Sequence, residues 1–357
     1  MTSSMNLDKT VSTYGCDWGG YFNMKFAVLA DYHYKKGMYI PPVSSLETIL
    51  KRAADAEVDF VIHLGDFSND YAGSPEVVDL YMNNPYGLPV YGVYGNHELE
   101  TGNKMSFVGR NLCNRPVVKP VGDRIGYWYA DVKNFRLIGL DTNYSLRPDG
   151  AWERNLDGSH CPARENGKWN SLGPDQLTWL RETVADAAKQ GKKVLVFSHA
   201  AISDAWSSTP DASQAREILN AYPGTVLLAA NGHLHTDHFK VIDGIAYWDV
   251  NVVQNGGWRP HDGFHYAEDM IYDFQDYDEQ GNPKGEIQQL PLNSMKQAKN
   301  TWFFREPLSA IVTVTENGEI NIEGAKTSWV YDITPDWTES GMTPEIADRR
   351  IKLDLPQ

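Results

Sequence analysis

Residues 90–98 read VYGVYGNHE. The β-branched and aromatic residues Val90, Tyr91, Val93 and Tyr94 have the composition of a buried strand, and the run stops at Gly95. Asn96, His97 and Glu98 follow at once. The strand therefore delivers an amide, an imidazole and a carboxylate to its C-terminal edge, where α/β sheets bind ligands. GNHE alone is a short motif. Its weight comes from four other strand ends in the chain that also carry Asp or His.

Upstream, KFAVLA (residues 25–30) reads as a buried strand ending on Asp31-Tyr32-His33. Ser44 and Glu47 form a capping box ahead of a helical stripe of Leu46, Ile49, Leu50 and Ala53. VDFVIHL (58–64) is the next strand and ends on Gly65-Asp66; residues 75–83 read as helix. Strand–helix–strand–helix–strand alternation predicts right-handed crossovers and a largely parallel sheet. Downstream, GYWYADV (126–132) and FRLIGL (135–140) pair as a hairpin ending on Asp141-Thr142-Asn143. Residues 143–172 read as a long loop, the kind that is functional or mobile. A helix over 173–190 leads into KVLVFS and His199. A helix over 211–222, with Asp211 as its cap, leads into TVLLAA and Asn231-Gly232-His233-Leu234-His235. A hairpin turns at Gly244, residues 254–305 read as irregular, and Asn317-Gly318 marks a further hairpin. This organisation gives a lead-in over 1–24, a core over 25–250 and a C-terminal extension over 251–357 with its hairpin packed on the core.

The 357 residues include 41% hydrophobic and 12% aromatic side chains, enough for a sizeable core. A net charge of -15 argues against nucleic acid or an anionic membrane as partner, since both select Lys and Arg patches. Three cysteines without a CxxC pair do not indicate a disulfide framework. No apolar run approaches the roughly 18 residues of a membrane span. The opening residues lack a charged and then apolar leader, which leaves the compartment open and slightly favours a cytoplasmic location.

Asp31, His33, Asp66, Asn96, His97, His199, His233 and His235 all stand at strand ends. Any one of them alone would read as a turn former or a satisfied polar contact. Together, at adjacent strand ends, they converge, and so many carboxylates and imidazoles need cations to balance them. Oxygen and imidazole donors without thiolate suit Mn, Fe, Zn, Co or Ni. About seven ligands exceed one ion's coordination shell and fit two ions sharing a bridge. Such pairs clamp the attacking and leaving oxygens of a displacement at phosphorus.

In order and setting, Asp31-x-His33, Gly65-Asp66, Gly95-Asn96-His97-Glu98, His199 and Gly232-His233-Leu234-His235 resemble the calcineurin-like metallophosphoesterases over about residues 25–250. The resemblance implies a four-layer α/β/β/α sandwich with two mixed β-sheets, here with a C-terminal β appendage. It implies that Asp31, His33 and His235 hold one metal ion, that Asn96, His199 and His233 hold a second, and that Asp66 bridges them. It further implies that His97 faces the substrate phosphate without binding metal, and that Glu98 orients the His97 ring. A metal-bridging hydroxide would then attack a small phosphate mono- or diester. The alternative is a non-catalytic metal-binding scaffold of the same fold. Asn69 stands where the purple acid phosphatases carry Tyr, so a tyrosinate–iron site is not expected.

Outside this set, His63 reads as a core histidine and His238 as a surface one. Asp141 and Asn143 read as turn formers, and Trp152 and Trp169 as packing residues. His160 and Cys161 do not suffice for a metal site. His261 and His265 are open between lining the cleft and simple exposure.

Overall fold

The computed structural model describes residues 22–34, 41–68, 75–100, 112–120, 126–146, 149–154, 170–205, 208–258, 271–277, 283–291, 301–330 and 342–356. In chain order the elements are β1 (Asn23–Leu29), α1 (Val43–Asp55), β2 (Phe60–His63), α2 (Pro75–Met82), β3 (Val90–Gly92) and the single turn α3 (His97–Glu100). Then come β4 (Trp128–Val132), β5 (Phe135–Gly139), β6 (Tyr144–Leu146), β7 (Trp152–Arg154), α4 (Pro174–Lys189), β8 (Lys193–Ser198), α5 (Ala212–Asn220) and β9 (Val226–Asn231). The remainder is β: β10 (His238–Ile242), β11 (Ile245–Asp249), β12 (Asn255–Trp258), β13 (Ile271–Tyr277), β14 (Pro283–Pro291), β15 (Thr301–Phe303), β16 (Ala310–Thr315), β17 (Glu319–Glu323) and β18 (Arg349–Lys352).

Two six-stranded mixed sheets carry the molecule, in the orders β18-β17-β16-β1-β2-β3 and β10-β11-β9-β8-β5-β4. In the first, β1, β2 and β3 are parallel, with Phe26 opposite Phe60 and Val61 opposite Val90. In the second, β5, β8, β9 and β11 are parallel and both edge strands antiparallel. The alternation over residues 25–94 thus gives the parallel strands it predicts. The two sheets face each other across one apolar layer that includes Phe26, Phe60, Phe197, Leu228 and Trp248. Phe26 stacks on Phe60 at 5.0 Å and meets Phe197 edge-on at 5.7 Å. Helices α1 and α2 bury Leu46, Ile49, Leu50, Val77 and Tyr81 on the outer side of the first sheet. Helices α4 and α5 bury Leu177, Leu180, Ile218 and Leu219 on the outer side of the second. The order of layers is α/β/β/α.

Several local expectations are corrected. Pro42, not Ser44, is the N-cap of α1, with no side-chain cap bond. Ser45 N donates to Pro42 O instead, and the neighbouring Ser45 hydroxyl bonds Gln254. Asp211 does not cap α5 through its side chain. Its carboxylate accepts from Leu172 N and Gly173 N, tying down the entry to α4. The long loop over 143–172 contains the paired strands β6 and β7. Residues 254–305 contain β12 to β15, whose Gly, Gln and Asp content hides the strand alternation. The Asn317-Gly318 hairpin forms as its turn residues predict, and β16 pairs antiparallel with β1. His63 is buried against Phe67 and Tyr81, and His238 is exposed. Burial pushes the Cys113 thiol up to about 12, leaving it inert. Cys16, Asn69, His160, Cys161, Trp169, His261 and His265 lie outside the described residues. Among the described residues no helix is long and apolar enough to cross a membrane.

Replacing Phe26 by Ala removes a ring that touches both sheets, so it should cost about 3–5 kcal/mol of stability. The shift in urea midpoint, read by circular dichroism at unchanged slope, checks this.

Candidate metal centre

The parallel strands of both sheets end on one edge. Asp31 and His33 follow β1, Asp66 follows β2, Asn96 and His97 follow β3, His199 follows β8, and His233 and His235 follow β9. The chain turns there in an unusual way. Asp31, His33, Asp66, His233 and His235 all have positive φ, between 49° and 67°. Non-glycine residues held in that region are strained, and such strain gathers at functional sites. The turns are packed tightly. A Cβ on Gly65 would meet His199, one on Gly95 would meet Asp66, and one on Gly232 would meet Asp31.

Among the described residues three overlapping groups of donor atoms result. Asp31, His33 and His235 form the first, Asp66, His199 and His233 the second, and His33, Asp66 and His97 a third that overlaps both. His33 Nε2 lies 3.2 Å from His235 Nε2, and His235 Nε2 lies 3.4 Å from Asp31 Oδ1. In the second group His199 Nε2 is 3.2 Å from each of Asp66 Oδ2, His233 Nδ1 and Asn96 Oδ1. Asp66 Oδ2 is also 3.8 Å from His33 Nε2 and 3.9 Å from His97 Nε2. One carboxylate oxygen therefore stands between the first two groups. His97 N donates to the other oxygen, Oδ1, at 2.8 Å.

Burial and partners define the donors. The side chains of His33, Asp31 and His199 are at most 1% exposed, whereas that of His97 is 25% exposed. His97 is the imidazole on the open side, perpendicular to the His33 ring at 4.8 Å. Leu64 O fixes His199 Nδ1 at 2.8 Å, leaving Nε2 to point into the site. Burial pulls the pKa of His33 down to about 3 and that of His233 to about 4, so both rings carry lone pairs at neutral pH. Burial opposes the charge on Asp66, but His199 and the other imidazoles outweigh it and hold the carboxyl well below its usual range. Burial likewise opposes a proton on His199, but Asp66 prevails and pushes that ring up to about 10. Imidazoles and ionised carboxylates that converge in a buried space without thiolates, with a proton on His199 that a cation would replace, fit two cations of the Mn, Fe, Zn, Co or Ni kind.

Glu98 does not orient the His97 ring. Its carboxylate accepts from the backbone N–H groups of Gly95 at 2.6 Å, Asp66 at 2.9 Å and Phe67 at 2.5 Å. It thus clamps the turn after β2 to the turn after β3. Glycine flanking and a downstream carboxylate were the sequence signals, but which donors that carboxylate takes depends on the fold. Sequence reasoning also missed Thr142, whose hydroxyl accepts from Ala200 N beside His199 at 3.2 Å. Asp141 and Asn143 are buried. Asn143 Nδ2 donates to Asp141 Oδ1, bracing the turn next to Thr142. Trp152 lies against Gly173, at the start of α4.

The family model for calcineurin-like phosphoesterases matches residues 24–237, more than half of the chain. The chain belongs to that family. Its five motif blocks fall inside the match and supply every residue of the three donor groups. No curated protein matches the sequence. Among solved structures, a dimetal phosphatase from Danio rerio is similar with a TM-score of 0.49 and 16% identity, covering 93% of this chain and 99% of that one. GAP50, the anchor in the inner membrane complex of Plasmodium, is similar with a TM-score of 0.48 and 14% identity, covering 94% and 90%.

The lowered histidines set an acid limit on the cation-free protein. Unfolded, His33, His63 and His233 titrate near 6.5; folded, they stay neutral to about 3, 3 and 4. Between these values the unfolded state binds more protons, so stability falls as pH drops. His199, raised to about 10, contributes fully below 6.5 and loses its contribution as pH rises through 10. Urea midpoints of chelator-treated protein should therefore fall from pH 6.5 to pH 4.5. An unchanged or rising midpoint would contradict the burial of these rings.

Proposed function

We propose that this chain is a metal-dependent hydrolase of small phosphate mono- or diesters. The observation that carries the reading is the position of Asp66, whose Oδ2 lies between the first two groups of imidazoles and carboxylates. Members of the family typically bind two metal ions. Asp31, His33 and His235 would hold one cation, Asn96, His199 and His233 the other, with Asp66 shared. When bound, the pair supplies Lewis acidity toward phosphoryl oxygens and lowers the pKa of water.

The remaining chemistry belongs to the chain's own side chains. His97, on the open side of Asp66, is placed to meet a phosphate oxygen, to stabilise charge that develops there and to give a proton to the leaving oxygen. Glu98 holds the Gly65-Asp66 and Gly95-Asn96 turns in register, so Asp66 and Asn96 at neighbouring strand ends of the first sheet keep their spacing. The net charge of -15 favours a small phosphorylated molecule over a polyanionic macromolecule. Retention of the complete ligand set supports hydrolysis over a purely structural role.

Protein loaded with Mn, Co or Zn should hydrolyse aryl phosphate mono- or diesters and lose that activity to chelators. Asp66→Asn should lose cations and turnover together. His97→Ala should keep its cations, measured by elemental analysis, while kcat falls about 10²–10⁴-fold. Loss of metal from His97→Ala would refute the division of roles. Metal-loaded wild type inert across a broad phosphoester panel would refute the activity.

A further inference from the structure

Asp237 stands two residues after His235, where the family match ends. Its side chain is 5% exposed and its carboxylate is fully occupied. Oδ1 accepts from Trp248 Nε1 at 2.9 Å and from Arg349 Nη1 at 3.0 Å. Oδ2 accepts from Ala347 N and from Arg349 Nη2, both at 2.8 Å. The guanidinium thus forks onto the carboxylate with two parallel bonds, the most directional form of ion pair. It also lies over the Phe239 ring, 5.6 Å from its centre. A second tie lies nearby, where Asn251 Nδ2 donates to Thr343 O at 2.6 Å and to Glu345 O at 3.0 Å.

The bonds of Asp237 join the C-terminal segment to the loop that presents His233 and His235, and those of Asn251 join it to the end of β11. Both histidines have positive φ, at 67° and 53°. Strained backbone of this kind persists only where the surroundings over-determine it. Upstream, Asp31 accepts from His233 N at 2.9 Å. Downstream, Asp237 and Arg349 hold the chain. Strand β18 does not need the ion pair to dock, since it pairs with β17, and its Ile351 and the following Leu353 meet the apolar layer. What the fork adds is a fixed position for Asp237.

We propose that Arg349, acting through Asp237, is a positioning residue for His235, so that the C-terminal strand sets how tightly the Asp31–His33–His235 group holds its cation. This rests on the reading of that group as a cation site. The test is calorimetric titration of the cation-free full chain with Mn²⁺, with melting temperature measured in parallel. Wild type should take up two equivalents. Arg349→Ala should keep one equivalent at unchanged affinity and bind the other about tenfold or more weakly, the effect of losing an outer support of a ligand. Arg349→Lys, which keeps the charge and loses the fork, should fall between the two. It carries the comparison alone if Arg349→Ala does not fold. Ile351→Ala should lower the melting temperature and leave both affinities unchanged. Wild-type affinity in Arg349→Ala or Arg349→Lys, or equal weakening in Ile351→Ala, would overturn the proposal. A wild type that binds no Mn²⁺ would overturn the cation-site reading itself, and the proposal with it.

Discussion

A buried carboxylate among buried imidazoles is the constraint around which this molecule is arranged. Asp66 sits at the edge where the parallel strands of both sheets end, within 3.9 Å of ring nitrogens from His33, His97 and His199. Those rings come from three strand ends, two in the first sheet and one in the second. The sheets must therefore pack face to face with their strand ends aligned, and the layer containing Phe26, Phe60 and Phe197 enforces it. The turns that follow must also be abrupt. Five site residues accept a left-handed backbone, at a cost on the order of 1–3 kcal/mol each, and three glycines clear the space beside them. Such concentrated strain and charge is understandable if cations occupy the space and repay it.

The support for that geometry is distributed. Glu98 binds two turns of the first sheet through backbone amides, and Thr142 fixes the residue after His199. Leu64 O sets the ring orientation of His199, so that the first sheet holds a side chain of the second. The chain beyond residue 250 contributes as well. Strand β16 lies against β1, whose end carries Asp31 and His33, and the segment before β18 closes on Asp237.

Much of this was legible in the sequence. Period-free apolar runs such as VDFVIHL and TVLLAA read as buried parallel strands because both of their faces are covered. The residues after them read as donors because chemistry in such sheets gathers at that edge. Three things were hidden. The strands within residues 254–305 carry too much Gly, Asp and Gln for periodicity to stand out. The side-chain partner of Ser45, the partners of Asp211 and the Asp66 and Phe67 amides that bind Glu98 are distant in sequence, so local caps and neighbours misled. The left-handed conformation of Asp31, His33, Asp66, His233 and His235 was hidden because residue type gives only a weak signal: Asp and His enter that region more often than most non-glycine residues, but most Asp and His in a chain do not. Each miss is a case where long-range packing settled what local chemistry left open.

The central claim is that two cations share Asp66, and electron paramagnetic resonance of the Mn²⁺-loaded protein tests it most directly. Two ions joined through one carboxylate are magnetically coupled, so the account predicts the spectrum of a coupled pair at two equivalents of Mn²⁺. A spectrum of isolated Mn²⁺ ions at that loading would contradict it.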